Sequence, residues 1–297
     1  MKKLTIFFIA FLFIFNINIF AKEPNPEAKG AILIDSKTGR ILWGKNENEP
    51  LAMASTTKIM TAILAIELGN LNDIVTVSKN ATKAPPVKMF LKEGEKITLK
   101  QLLYALMMQS SNDVAVAIAE HISGSIEAFC KEMTEKAKII GAKDTVFKTP
   151  NGLDLENHHS TAYDMAIIAK YAMENKDFVE IINQKQISFS TNKSSYNIIN
   201  KNRLLNEFNG ANGIKTGYTG KAGHCFVGSA KRDDLSLISV VLASGWGNKG
   251  KEQKWKDTKE ILNYGFENFN YEKVLEKKDL EDTVKINKGY IDEIPLY

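Results

Sequence analysis

Met53-Ala-Ser-Thr-Thr-Lys-Ile-Met60, running on through Thr61-Ala-Ile-Leu-Ala-Ile-Glu-Leu68 to Gly69-Asn70, is the stretch on which the fold turns. Ile59, Ala62, Ile63 and Ile66 recur at helical spacing and the run stops at Gly-Asn, so a helix begins near Ser55. Residues three apart share a helix face, which brings the Lys58 amine within reach of the Ser55 hydroxyl. The free N–H groups at a helix start favour negative charge developing there. Serine is a poor nucleophile unless a base takes its proton. A lysine can serve once burial or a nearby cation pulls its pKa down.

Outward toward the N-terminus, 31–35 and 41–44 are strand-like runs joined by Ser36-Lys-Thr-Gly-Arg40, a hairpin pattern. Residues 22–29 form a polar, Pro-broken linker. Outward toward the C-terminus, 73–98 reads as short strands and loops, and helices are expected over 99–108, 113–121, 126–140 and 161–174. Thr161-Ala-Tyr-Asp164 matches a capping box. After Gly213 the period is that of strands, with 225–230 and 235–242 flanking the turn 231–234. A last amphipathic helix carries Trp255, Thr258, Ile261, Leu262, Phe266 and Phe269. Strands at both ends with helices between predict an α+β fold: one antiparallel sheet fed by both termini, with a helical body packed on it.

The 297 residues are 44% hydrophobic and 25% charged, which suits one large or two smaller globular domains and argues against wholesale disorder. The net charge of +4 is spread widely, and its charged stretches read as solvated helix faces, so no nucleic-acid partner is expected. Residues 1–21 place Lys2 and Lys3 before an apolar run that ends at Ala21, the pattern of a signal peptide. Asn16 and Asn18, and a length short of the roughly 20 apolar residues of a spanning helix, favour that reading over an uncleaved anchor. On either reading the rest of the chain works outside the cytoplasm, and only this segment offers membrane association. Cys130 and Cys225 could be joined in an exported protein or stay as buried thiols. The four histidines and two cysteines show no metal-binding spacing, so no metal and no cofactor are expected.

Two further strings complete the chemistry of the first. Ser110-Ser111-Asn112 falls at the junction of two expected helices, and Lys215-Thr216-Gly217 at a strand edge. Together with Ser55 and Lys58 they supply a nucleophile, a base, a hydroxyl and amide partner and a second cation that would lower the base's pKa. Each string alone is cheap. Ser190-Thr-Asn-Lys193 repeats the first, Ser78-Lys-Asn80 and Ser195-Tyr-Asn197 the second, and Lys37-Thr-Gly39 the third. Context removes the copies: Ser190 lies in a polar, unperiodic stretch and Lys37-Thr-Gly39 in a hairpin turn. Ser110 and Asn112 also suit plain helix capping, and Lys215-Thr-Gly suits a strand end with a glycine kink.

Ser-Thr-Thr-Lys (55–58), Ser-Ser-Asn-Asp (110–113) and Lys-Thr-Gly-Tyr-Thr-Gly-Lys-Ala-Gly (215–223) resemble serine-type D-alanyl-D-alanine carboxypeptidases, the low-molecular-mass penicillin-binding proteins. The resemblance runs from about residue 26 to 270 and implies a β-lactamase/transpeptidase-like fold. It implies that Ser55 attacks peptidoglycan stem peptides ending in D-Ala-D-Ala, that Lys58 takes the proton and that β-lactam antibiotics acylate Ser55. It also implies an oxyanion hole from the backbone N–H groups of Ser55 and Tyr218, proton relay and substrate contacts through Ser110 and Asn112, and a carboxylate clasp of Thr216, beside Gly217, with Arg203 from Asn202-Arg-Leu-Leu205. Arg203 equally suits a solvated surface charge.

The domain division that follows is a signal peptide over 1–21, a catalytic domain over 22–270, and a short C-terminal stub over 271–297, the start of a truncated or vestigial β domain. A β-lactamase shares all three strings but, in its class A form, also needs a Glu-x-x-Leu-Asn base; Thr149-Pro-Asn-Gly-Leu153 stands here instead. A non-catalytic peptidoglycan-binding protein on the same scaffold is the other rival.

Overall fold

A computed structural model describes residues 22–272 and a pair of short strands further on. The expected first hairpin is present: β1 (Gly30–Asp35) pairs antiparallel with β2 (Ile41–Lys45). Its turn is closed by Asp35, whose Oδ1 accepts from Thr38 N at 2.6 Å and Thr38 Oγ1 at 2.8 Å, with Gly39 at φ 77°. Lys37-Thr-Gly39 is therefore turn chemistry.

Past residue 53 the chain forms a 3-10 turn, Ala54–Thr57, that leads into helix α1 (Lys58–Leu68). The helix thus starts one turn later than periodicity suggested, because Thr56 donates to Met53 O at 2.6 Å and tightens the first turn. Strand β3 (Ile74–Thr76), the short helix α2 (Lys79–Thr82) and strand β4 (Lys96–Thr98) follow, with β3 antiparallel to β4. Ser78 serves as the cap of α2, accepting from Ala81 N at 3.0 Å.

The helix expected over 99–108 divides. Helix α3 (Leu99–Tyr104), opened by a Thr98/Gln101 capping box, passes into a π-helical turn over Ala105–Gln109. Ser110 follows in the left-handed region at φ 69°, and α4 (Asn112–Ser123) begins. Helices α5 (Ile126–Ile139) and α6 (Ala162–Met173) match expectation closely. The capping box at α6 is half formed. Thr161 Oγ1 accepts from Asp164 N at 3.0 Å, but Asp164 turns away to accept from Asp144 N and Thr145 Oγ1, both at 2.7 Å. Helix α7 (Lys176–Asn183) and the hairpin of β5 (Gln186–Ser190) and β6 (Ser195–Ile199) had no sequence counterpart. The Ser190 stretch is thus a correction: it is a strand, with only every second residue half-buried. Ser190 Oγ meets Ser195 Oγ at 2.9 Å across the hairpin, so this copy of the Ser-x-x-Lys string is structural.

After the short helix α8 (Leu204–Glu207) come β7 (Ala211–Thr219), β8 (Gly223–Arg232) and β9 (Leu235–Leu242), then the long helix α9 (Gly247–Asn268). The main sheet runs β2-β1-β9-β8-β7, antiparallel throughout, so strands from both chain ends meet at β1 and β9. Side chains alternate across it. Ile32, Ile34, Val227, Ile238 and Val240 join the core of the helical body, whereas Leu33, Phe226, Leu237 and Val241 pack on Trp255, Ile261 and Leu262 of α9. The sheet is covered on both faces, and β1 is accordingly buried along its whole length.

Cys130 and Cys225 are free and buried, and burial pushes both thiols up to about 12. Strand β10 (Thr283–Lys285) pairs antiparallel with β11 (Glu293–Pro295). The signal-peptide segment 1–21, and the expected C-terminal stub apart from that strand pair, lie outside the described residues.

Candidate active site

Lys58 is fully buried at the start of α1, and its amine has three neighbours. Ser55 Oγ lies at 2.9 Å and Asn112 Oδ1 at 2.8 Å, and the Asn151 carbonyl completes the set. Burial first, then the charges of Lys215 and Lys201, push its pKa well below the ordinary lysine value, with Asp113 opposing. A neutral amine has two hydrogens and one lone pair. The Asn112 and Asn151 oxygens can only accept, so in the neutral form of the amine they take its two hydrogens and leave its lone pair facing Ser55 Oγ. The geometry suits a base ready to receive the serine proton.

Each neighbour is fixed from behind. Asn112 Nδ2 donates to Pro85 O at 3.1 Å and Pro86 O at 2.9 Å, which turns its Oδ1 toward Lys58. Asp113, also buried, accepts from Met89 N and Leu91 N, so the segment overhanging the cleft is tied to the start of α4. The Asn151 carbonyl is delivered by a loop pressed against the turn that carries Ser55. At Gly152, φ is +84° and a Cβ would lie 1.9 Å from Ala54 O.

From the sheet side, β7 brings Lys215, Thr216, Gly217 and Tyr218. Lys215 is 2% exposed and donates to Thr216 O at 3.0 Å. Burial, with Lys201 contributing, brings its pKa down to about 7. A Cβ on Gly217 would lie 2.9 Å from Ser55 N, so the strand's backbone passes directly beside Ser55. The Tyr218 ring stacks on His224 at 4.3 Å.

A cleft of about 450 Å³ has Ser55, Ser110, Thr216, Gly217, Tyr218 and Arg203 in its wall, with Lys58, Asn112 and Lys215 buried around it. The residues singled out from the three strings therefore lie in one place. Arg203 is at the rim, but its guanidinium is engaged: Nε donates to Glu207 at 2.7 Å and Nη1 to Glu252 at 2.8 Å.

Sequence reasoning missed several groups here. Lys201 lines the cleft, donating its N–H to Met108 O and its amine to Gln109 O, so it holds the chain just before Ser110. His224, Lys251 and Lys254 also face the cleft, and burial brings Lys254 down to about 8. Asn151 contributes only its main chain, which no residue type announces. The helical spacing of Lys251 and Lys254 on α9 was the one available signal, and it reads equally as a solvated face.

The D-alanyl-D-alanine carboxypeptidase family model matches residues 18–245. The D-alanyl-D-alanine carboxypeptidase DacF of Bacillus subtilis is 39% identical over 270 residues, 89% of this chain and 68% of that protein. The crystal structure of a D-alanyl-D-alanine carboxypeptidase from Mycobacterium tuberculosis superposes with TM-score 0.79 at 31% identity, covering 83% of this chain and 94% of the other. A serine-to-alanine mutant of a Streptomyces DD-transpeptidase gives TM-score 0.78 at 30% identity, covering 82% and 100%.

Proposed function

This chain belongs to the D-alanyl-D-alanine carboxypeptidase family, and from that premise we propose the following division of labour in its cleft. The protein is a serine D-Ala-D-Ala carboxypeptidase acting on peptidoglycan stem peptides through an acyl-enzyme, and β-lactams acylate the same serine. Ser55 Oγ attacks the carbonyl between the last two D-alanines while its proton passes to Lys58. The C–N bond breaks, and D-alanine leaves after the amine takes that proton. Water then attacks the ester, the shortened peptide leaves as a carboxylate, and Ser55 recovers its hydrogen.

The Ser55 and Tyr218 N–H groups receive the oxyanion; such a donor is worth on the order of 3 kcal/mol of barrier. Ser110, Asn112 and Lys215 relay protons and hold the peptide, Thr216 beside Gly217 takes the terminal carboxylate, and Arg203 adds positive potential at the rim. The observation that carries this reading is the Lys58 amine, buried, with its pKa pushed well below the ordinary lysine value by burial and the nearby Lys215 charge, and 2.9 Å from Ser55 Oγ.

The test is release of D-alanine from diacetyl-Lys-D-Ala-D-Ala, with mass spectrometry of the penicillin-treated protein. Ser55→Ala is expected to lower turnover on the order of 10⁴-fold and to remain unlabelled. A protein that releases no D-alanine and takes no label is a binder, and one that turns penicillin over rapidly is a β-lactamase. An added amine acceptor separates hydrolysis from transpeptidation, the activity named for the Streptomyces neighbour. Because peptidoglycan lies outside the cytoplasm, the same reading favours export, with 1–21 as a signal peptide. No helix among the described residues is long and apolar enough to cross a membrane.

A further inference from the structure

One buried imidazole has no part in this chemistry, yet it touches both segments that build the base. His158 is 5% exposed. Lys148 N–H donates to its Nδ1 at 2.9 Å, so the neutral ring carries its proton on Nε2 and donates to Thr57 Oγ1 at 3.1 Å. Burial, helped by His159, lowers its pKa to about 4, so this tautomer persists wherever a lysine can act as base. Phe147 closes one side of the ring, edge-on at 6.1 Å.

The two partners matter for where they sit. Thr57 lies between Ser55 and Lys58, in the turn that sets their spacing. Lys148 leads into the loop whose Asn151 carbonyl accepts from Lys58 Nζ and lies 3.3 Å from Ser55 Oγ. A second tie, Thr61 Oγ1 to Pro150 O at 2.6 Å, joins the same loop to α1 one turn on. The imidazole thus spans the turn and the loop from behind the reacting atoms.

We propose that His158 is a positioning residue: its ring joins Thr57 to the loop from Lys148 to Gly152 and so holds the Asn151 carbonyl against Lys58. The carbonyl matters because it absorbs one amine hydrogen. With it displaced, that hydrogen is free to turn toward Ser55, and the lone pair no longer faces the proton it must accept. Glutamine at 158 offers one acceptor and one donor on a side chain of similar reach. Phenylalanine fills the space and offers neither. The inference rests on Ser55 and Lys58 being nucleophile and base.

The test measures penicillin acylation by stopped flow, resolving the acylation rate constant from the dissociation constant of the initial complex. Melting curves are recorded for the wild type, His158→Phe, His158→Gln, Thr57→Val and the Thr57→Val/His158→Phe double variant. His158→Phe is expected to slow acylation about 10- to 100-fold, the scale of a small misplacement of reacting groups, with the dissociation constant within about twofold. His158→Gln is expected to recover most of the rate, and the double variant to be no slower than His158→Phe alone. If His158→Phe does not fold, Thr57→Val and His158→Gln carry the test, the first slowed and the second near wild type.

Acylation at the wild-type rate in folded His158→Phe or Thr57→Val overturns the proposal. So does His158→Gln recovering melting temperature without rate, or simple additivity in the double variant. A wild type unlabelled at Ser55 removes the reading of the site and this proposal with it. A labelled wild type beside an equally fast His158→Phe removes this proposal alone.

Discussion

Lys58 and Lys215 are held in the fold at a cost in stability. Both are buried, each raises the free energy of a proton on the other, and no carboxylate lies within hydrogen-bond reach of either amine among the described residues. A lysine whose folded pKa is depressed gains a proton on unfolding, so across the interval from about 7 to 10.5 the unfolded state is favoured as pH falls. The contribution of Lys215 to stability therefore improves as pH rises through that interval. Lys215→Met is expected to raise the melting temperature at pH 7 while abolishing turnover, and to lose most of that advantage above pH 10. The activity runs the other way. Acylation by penicillin is expected to decline above about pH 7 as Lys215 gives up its proton, and Lys215→Arg to keep whatever rate it retains at higher pH, since a guanidinium stays charged. A flat profile in both proteins would show that the Lys215 charge is not used. At the rim, the pairing of Arg203 with Glu207 and Glu252 limits what it can give a substrate. Arg203→Ala is expected to raise KM by less than about tenfold with kcat unchanged, and Glu252→Gln to lower KM by freeing the guanidinium.

At the level of elements, the site is made where regular structure is interrupted. Ser55 sits in a 3-10 turn, Ser110 ends a π-helical turn in a left-handed conformation, and the loop carrying Asn151 needs a glycine at its closest approach. Gly152→Ala tests that last junction. Its positive φ and the 1.9 Å clash with Ala54 O leave no room for a methyl group, so a fall in stability of about 2 kcal/mol or more and near-complete loss of acylation are expected, read by melting and penicillin labelling. These interruptions also explain what the sequence could and could not convey. The Ser55–Lys58 relation was legible because a helical period is local, and two of the main sheet's three hairpins, β1–β2 and β8–β9, because their turns carry Gly or Asp between apolar runs. The π-helical turn was not, since Ala105 to Gln109 carry ordinary helix-forming residues and the neighbours the turn packs on, α1 and β6 among them, are distant in sequence. The β5–β6 hairpin was missed because only Ile187, Phe189, Tyr196 and Ile198 face inward between polar neighbours. Arg203 stood out over Lys201 by residue type; both line the cleft, and only the fold shows that Arg203 is engaged by Glu207 and Glu252 while Lys201 holds the chain before Ser110.

On the scale of the whole molecule, the sheet is closed by partners from opposite ends of the chain. Gly30 pairs with Leu242 and Asp35 with Leu237, and Asp257 of α9 clamps the join. Its Oδ1 accepts from Glu27 N and Gln253 Nε2, and its Oδ2 from Ala28 N and Ser244 Oγ. Every partner is a donor, so an amide at this position turns two of its own hydrogens toward other hydrogens. Asp257→Asn is expected to cost about 1–3 kcal/mol by denaturant titration, with kcat/KM unaltered below the transition. A loss of activity without loss of stability would contradict a purely architectural role.

The meeting of β1 with β9 also fixes how late in synthesis the main sheet can close. A ribosome that has finished Asn112 has already made Ser55 and Lys58 as well. The strand bearing Lys215, and the β9 on which β1 must zip, are still untranslated at that moment. The β1–β9 pairing and the β7 wall of the cleft are consequently completed only after most of the polypeptide has emerged.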